Sequence, residues 1–147
     1  VAVPLTSARP NATALPAQAI IPEPKATVLL VDNDPEVLKA MLELLEQWGC
    51  AVLPARTIAQ ALRLGRTQKP DILLLDYHLD RHDTGLMVRD LLEPALGNLP
   101  CIILTADRSE EVRNEILNSG CQVLHKPIRP LALKSAMASM LPKRHAV

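Results

Sequence analysis

The chain has 147 residues, enough for one ordinary domain and a tail, with 48% apolar residues to fill a core. Lys and Arg number 16 against 16 Asp and Glu. That balance, without any clustered positive run, argues against a sequence-independent grip on nucleic acid. Trp48 and Tyr77 are the only aromatic residues, so the core must be aliphatic.

Residues 1–25 carry Pro4, Pro10, Pro16, Pro22 and Pro24 among Ala, Thr and Ser, the composition of an extended, poorly ordered linker. The leader lacks a basic segment followed by an apolar one and lacks an initiating Met. It therefore reads as a linker within a longer protein, not as a signal peptide. The folded unit is expected over residues 26–143. No apolar stretch approaches the roughly 20 residues of a membrane helix, so no membrane contact is expected and the cytoplasm is the expected location.

Val28-Leu29-Leu30-Val31 is a continuous apolar run, as expected for a central strand buried on both faces. Asp34-Pro35 supplies an N-cap followed by Pro at the first helical position, and Val37, Leu38, Met41, Leu42, Leu45 and Trp48 follow at helical spacing up to Gly49. A short strand is predicted near Ala51-Val52-Leu53. A helix opens at Thr57 with Gln60 three residues on, a capping box. The third strand, Asp71 to Leu75, runs into Asp76, and a polar loop from Tyr77 to Thr84 leads to a helix bearing Met87, Val88, Leu91 and Leu92. The fourth strand, Cys101 to Leu104, ends at Thr105. Ser109 caps a helix closed by Gly120, the fifth strand Gln122-Val123-Leu124 runs into His125-Lys126-Pro127, and Pro130 starts the last helix.

Five strands alternating with five helices through short connections predict an α/β fold: a doubly wound, five-stranded parallel sheet with helices on both faces. In such sheets ligands sit beyond the carboxyl ends of the strands. There the sequence places Asp32-Asn33-Asp34, Asp76, Thr105 and Lys126, each after a different strand. A carboxylate such as Asp76 can attack phosphorus and become an aspartyl phosphate. Grouped carboxylates repel: two charges about 5 Å apart cost roughly 3 kcal/mol at an effective dielectric near 20. Mg²⁺ would remove that cost and neutralise an incoming phosphoryl group. Lys126 adds a positive charge for the phosphoryl oxygens, and Thr105 a hydroxyl donor.

Taken singly these residues are ordinary. Asp34 is first a helix cap and second a member of the acidic group, Thr often ends strands, and Lys is usually a solvated charge. Their joint occurrence at successive strand ends carries the reading. Cys50, Cys101 and Cys121 lack metal-ligand spacing and lie in or beside apolar runs, so they are expected as buried free thiols. His78, His82, Asp80 and Asp83 read as ordinary composition for a polar loop.

The segments Val28-Leu29-Leu30-Val31-Asp32-Asn33-Asp34-Pro35, Leu73-Leu74-Leu75-Asp76, Ile103-Leu104-Thr105-Ala106 and Lys126-Pro127 resemble those of response regulator receiver domains, over about Lys25 to Leu141. The resemblance implies a flavodoxin-like sheet in the order 2-1-3-4-5 and a phosphoacceptor role in a two-component or phosphorelay system. It implies Asp76 as the acceptor, Thr105 as the switch residue and Lys126 as the phosphate-pairing lysine. It further implies Mg²⁺ held by Asp32, Asn33, Asp76 and the backbone carbonyl of His78. The implied partners are a histidine kinase or a histidine phosphotransfer protein, with room for a weak homodimer and no direct contact with nucleic acid. On this reading the domain accepts phosphate and is no conventional enzyme. Asp76-Tyr77-His78-Leu79-Asp80 and Leu104 to Ser109 look like receivers fused behind hybrid sensor histidine kinases.

Three positions depart from the family pattern. Asn33 stands where a second acid is usual, Val123 where the switch aromatic is usual, and the loop from Asp76 to Gly85 lacks Pro and is one residue longer. Two alternatives follow. One is a receiver-like docking module that takes no phosphate. The other is a small haloacid-dehalogenase-type phosphatase, which it resembles in Asp32-Asn33-Asp34, with Asp32 as nucleophile and Asp34 as general acid. Against the phosphatase stand Glu36, the absence of a late acid pair and the idle Asp76.

Overall fold

The computed structural model describes residues 23–142. Residues 1–22 of the Pro-rich leader, and the carboxyl-terminal residues 143–147, lie outside the described residues. Five strands, β1 (Thr27–Val31), β2 (Ala51–Ala55), β3 (Ile72–Asp76), β4 (Cys101–Thr105) and β5 (Gln122–His125), alternate with five helices. These are α1 (Pro35–Gln47), α2 (Ile58–Gln68), α3 (Gly85–Leu96), α4 (Glu110–Asn118) and α5 (Pro130–Met140). All strands are parallel in one sheet of order β2-β1-β3-β4-β5, the doubly wound parallel sheet expected from the strand–helix alternation, in the flavodoxin-like order that the family resemblance implied.

The apolar runs explain the layers. Side chains alternate across a strand, so a continuous run feeds both faces. Leu29, Val31, Leu73, Leu75 and Ile103 pack on one side with Ala61 of α2, Leu86, Val88 and Leu92 of α3 and Ile116 of α4. Val28, Leu30, Ile72, Leu74, Ile102 and Leu104 pack on the other with Met41 and Leu45 of α1 and Leu133 and Met137 of α5. Each fully buried leucine of this set stabilises the fold by about 1.5–3 kcal/mol.

The predicted helix starts are the observed ones. The Asp34 side chain accepts from the Glu36 N–H at 3.0 Å, the Thr57 hydroxyl from Gln60 N–H at 3.1 Å and the Ser109 hydroxyl from Val112 N–H at 3.3 Å. Trp48 closes α1, and Gly49 follows it with φ +87°. The end of the leader lies against the domain: Glu23 pairs with the buried Lys134 of α5 at 2.5 Å, and the Cys50 thiol donates to the Pro24 carbonyl at 2.8 Å. The strand order turns between β1 and β3, which opens a crevice at their carboxyl ends.

Candidate functional site

That crevice collects the strand-end residues. Asp32 follows β1 and Asp76 ends β3, and both are buried, at 1% and 6% exposure. An isolated buried carboxylate is costly, and here the compensation is one ammonium. Lys126 Nζ lies 3.3 Å from Asp32 Oδ2 and 3.1 Å from Asp76 Oδ1. The Asp34 backbone N–H donates to Asp32 Oδ1 at 2.9 Å, so each Asp32 oxygen has a donor.

Thr105, buried at the end of β4, is joined to the same cluster through the backbone: Lys126 N–H donates to the Thr105 carbonyl at 2.8 Å. Its hydroxyl oxygen accepts from Asp107 N–H at 3.0 Å, and Asp107 Oδ1 accepts from Ser109 N–H at 2.8 Å. Hydrogen bonds thus run from Thr105 through its loop to the cap of α4. The Ser109 backbone N–H also holds the Asp107 carboxyl below its ordinary acidity range.

The electrostatics is asymmetric. Burial pushes the Asp76 carboxyl upward, and the Asp32 charge adds to that, against the opposing pull of Lys126. Burial works against the Lys126 ammonium, but Asp76 and Asp32 outweigh it, and its pKa moves upward from the lysine value. The site therefore holds a cation firmly and carries carboxylate charge that one ammonium does not fully offset.

Asp34 does not complete a trio of carboxylates. Its side chain is exposed and caps α1, and no group of three or more His, Cys, Asp or Glu side chains is placed to hold a metal among the described residues. The acidic pair is Asp32 and Asp76. The Asn33 side-chain amide donates to the Leu79 carbonyl, which fixes the amide plane and leaves its oxygen unengaged by that bond. The two buried carboxylates of Asp32 and Asp76 are hard oxygen donors, the ligand type that suits Mg²⁺.

The loop after β3 forms a tight turn. Asp83 N–H donates to the Asp80 carbonyl at 2.6 Å, Arg81 adopts φ +51°, and His78 bridges Thr84. Gly85 N–H donates to the Tyr77 carbonyl at 3.0 Å, which ties the start of α3 to the residue after Asp76.

Two residues escaped the sequence reading. Gly85 begins α3 directly over the end of β3, and a Cβ there would stand 2.6 Å from the Asp76 carbonyl oxygen and 2.8 Å from Leu75 Cβ. Thr-Gly at the start of a helix, where Gly is a poor helix former, was the available signal. Tyr77, adjacent to Asp76, is buried and donates its hydroxyl to Glu115 of α4 at 2.5 Å. Nothing in the local sequence pairs positions 77 and 115. His78 packs edge-on against the Tyr77 ring with centroids 4.7 Å apart.

The chain is similar to known proteins in sequence and in fold. The profile of the response regulator receiver domain matches residues 28–138. The chain is 31% identical over 108 residues to the polar-differentiation response regulator DivK of Brucella anthropi, covering 71% of this chain and 86% of DivK. It is 34% identical over 117 residues to the transcriptional regulatory protein GlrR of Escherichia coli, covering 79% of this chain but 26% of GlrR. The structure of the Vibrio cholerae chemotaxis protein CheY4 superposes with a TM-score of 0.72 at 23% identity, over 80% of this chain and 99% of CheY4.

Proposed function

This chain belongs to the response regulator receiver domain family, phosphoacceptor modules of two-component signalling, and on that premise we propose that Asp76 is the residue that takes the phosphoryl group. The observation that carries the assignment is Lys126 Nζ between two buried carboxylates, 3.1 Å from Asp76 and 3.3 Å from Asp32. The donor is a phosphohistidine on a histidine kinase or a phosphotransfer protein, the partner class of the family.

The roles divide by chemistry. The Asp76 carboxylate oxygen forms the new bond to phosphorus while the phosphohistidine nitrogen leaves with the electron pair of the broken bond. Lys126 stays beside Asp76 and pairs with the phosphoryl oxygens. The Thr105 hydroxyl, whose oxygen now accepts from Asp107, keeps its own proton to donate to the phosphoryl group. Receiver domains in general depend on Mg²⁺. Asp32, Asp76, the Asn33 amide oxygen and the His78 carbonyl would hold it here, and it supplies the positive charge that neutralises the transferred group. Asn33 in place of an acid gives the metal one anionic ligand fewer, so a weaker affinity is expected.

The response leaves through the loop after β4. A bond from Thr105 to phosphate would draw on Asp107, which holds the Ser109 N–H, and on Ser109, which caps α4, and so bias the surface of α4 and α5 between two arrangements. With Val123 half-buried in place of an aromatic, that path does not use an aromatic on β5. The domain extends over residues 26–143 behind a Pro-rich linker and acts in the cytoplasm as the receiver of a hybrid sensor histidine kinase. The sequence motifs around Asp34, Asp76 and Thr105 support that placement, and the parent sequence upstream tests it.

Treatment with acetyl phosphate or phosphoramidate and Mg²⁺, followed by intact mass measurement, tests the assignment. A labile phosphoryl adduct is expected, abolished in Asp76→Asn and weakened in Asp32→Asn. An adduct that requires Asp32 but not Asp76 favours the phosphatase reading. No adduct with any donor favours the docking module.

A further inference from the structure

At the sheet edge opposite Asp76, Cys101 opens β4 and Cys121 immediately precedes β5. The two strands run parallel with Ile102 opposite Gln122. One step back along each chain therefore sets Cys101 beside Cys121. Both side chains are buried in the same apolar cluster, so they point to the same face of the sheet. Neighbouring strands lie about 4.7–4.9 Å apart, within the Cα separation of roughly 4.4–6.8 Å that a disulfide spans. Both thiols are free.

The surroundings differentiate the pair. The neighbouring Cys101 thiol lowers Cys121 to about 7 against the opposition of burial, with smaller contributions from the Ser119 hydroxyl and the Arg89 guanidinium. Cys101 is pushed upward by the same contact and by burial. Asp90 acts on both against Arg89. Arg89 stands over this corner, its Nη2 3.7 Å from where a Gly120 Cβ would be. Cys50 differs: burial raises its thiol, and it donates to the Pro24 carbonyl. A thiolate beside a cation is the reactive form of cysteine. Access requires only local opening, because β5 is an edge strand and Gly120 and Gln122 are exposed.

We propose that Cys101 and Cys121 form a dithiol modification site, which an oxidant of the peroxide class converts into an intramolecular disulfide. The Cys121 thiolate attacks one peroxide oxygen; the S–O bond forms, the O–O bond breaks, and the hydroxide released takes up a proton to become water. The Cys101 sulfur then displaces the sulfenic oxygen of Cys121. The S–S bond forms, the S–O bond breaks, and the thiol proton leaves with that oxygen as a second water. The cysteines lose two electrons and two protons, and the peroxide is reduced to water. The bridge pins β5 to β4 at its entry and leaves the Asp76 edge untouched, so this site stands independently of the phosphoacceptor assignment.

The test uses the full chain, reduced, exposed to hydrogen peroxide, then denatured and alkylated with N-ethylmaleimide for intact mass and peptide mapping. The expected product is monomeric, has lost two hydrogen atoms, and is alkylated at Cys50 alone. Peptides containing Cys101 and Cys121 should be cross-linked. Cys50→Ser should leave this result unchanged and Cys121→Ser should abolish it. Should the Cys121 variant fail to fold, the peptide map of the unaltered chain decides alone. Three alkylated thiols after peroxide, a bridge that includes Cys50, oxygen addition without loss of hydrogen, or disulfide-linked dimers alone would each overturn the proposal.

Discussion

Replacing Asp76 by Asn removes a charge that the fold bears at a cost. Asp76 is 6% exposed, and its carboxyl is displaced upward by burial and by Asp32. Both Asp oxygens lie within 3.3 Å of the same Nζ, so the carboxylates are neighbours. Their repulsion is about 3 kcal/mol at 5 Å and an effective dielectric near 20, and it opposes the attraction of Lys126. A carboxyl with a raised value in the folded state favours the folded chain fully only below its unfolded value. As pH rises through the folded value that contribution is lost, since the unfolded chain releases its proton first. Each tenfold loss of acidity corresponds to about 1.4 kcal/mol. Asp76→Asn escapes this loss. Without divalent cations the variant should be about 1–2 kcal/mol more stable than the parent at neutral pH, or roughly 4–8 °C in Tm. The gain should shrink in acid, where Asp76 is protonated, and shrink again on adding Mg²⁺, which stabilises only the parent site. Urea unfolding across a pH series, with and without Mg²⁺, measures it. A variant less stable than the parent at neutral pH, or a gain indifferent to both pH and Mg²⁺, refutes the reasoning.

Other expectations follow from single contacts. Gly85→Ala should destabilise by about 1–3 kcal/mol in urea unfolding and slow phosphorylation, because its Cβ would meet the Asp76 carbonyl oxygen at 2.6 Å, where the strand has no slack. Lys126→Met should reduce the rate of adduct formation from acetyl phosphate about ten- to a hundredfold, a loss of about 1.4–2.7 kcal/mol of transition-state stabilisation. It should also displace the Asp76 carboxyl further upward in an NMR titration. Tyr77 is the only tyrosine, so ultraviolet titration reports it directly: its phenol should ionise near 12, held there chiefly by the hydrogen bond to Glu115, and Glu115→Gln should return it toward 10.

The fold was legible because the strands and helix starts use strong local signals. Continuous apolar runs fit only a sheet covered on both faces, and Asp34, Thr57 and Ser109 cap the helices they were expected to cap. Strand-end position then put Asp32, Asp76, Thr105 and Lys126 at one edge before any coordinates. The spacing does not show which carboxylates share the ammonium: Asp34 lies two residues from Asp32, yet its side chain serves α1. Gly85 and Tyr77 were less legible because their partners lie elsewhere in the fold, the one beneath a helix start and the other on α4. The conjunction of Cys101 and Cys121 likewise depends on strand register, which residue patterns within either segment do not encode.

The account turns on which carboxyl group becomes the acyl phosphate. Chemical trapping reads this directly: the chain is phosphorylated with acetyl phosphate and Mg²⁺, reduced with borohydride, and mapped by peptide mass spectrometry. An acyl phosphate is converted to the alcohol, so homoserine at position 76 is the predicted product. Homoserine at position 32, or unmodified Asp at both positions in a chain that acquired the phosphoryl mass, would contradict it.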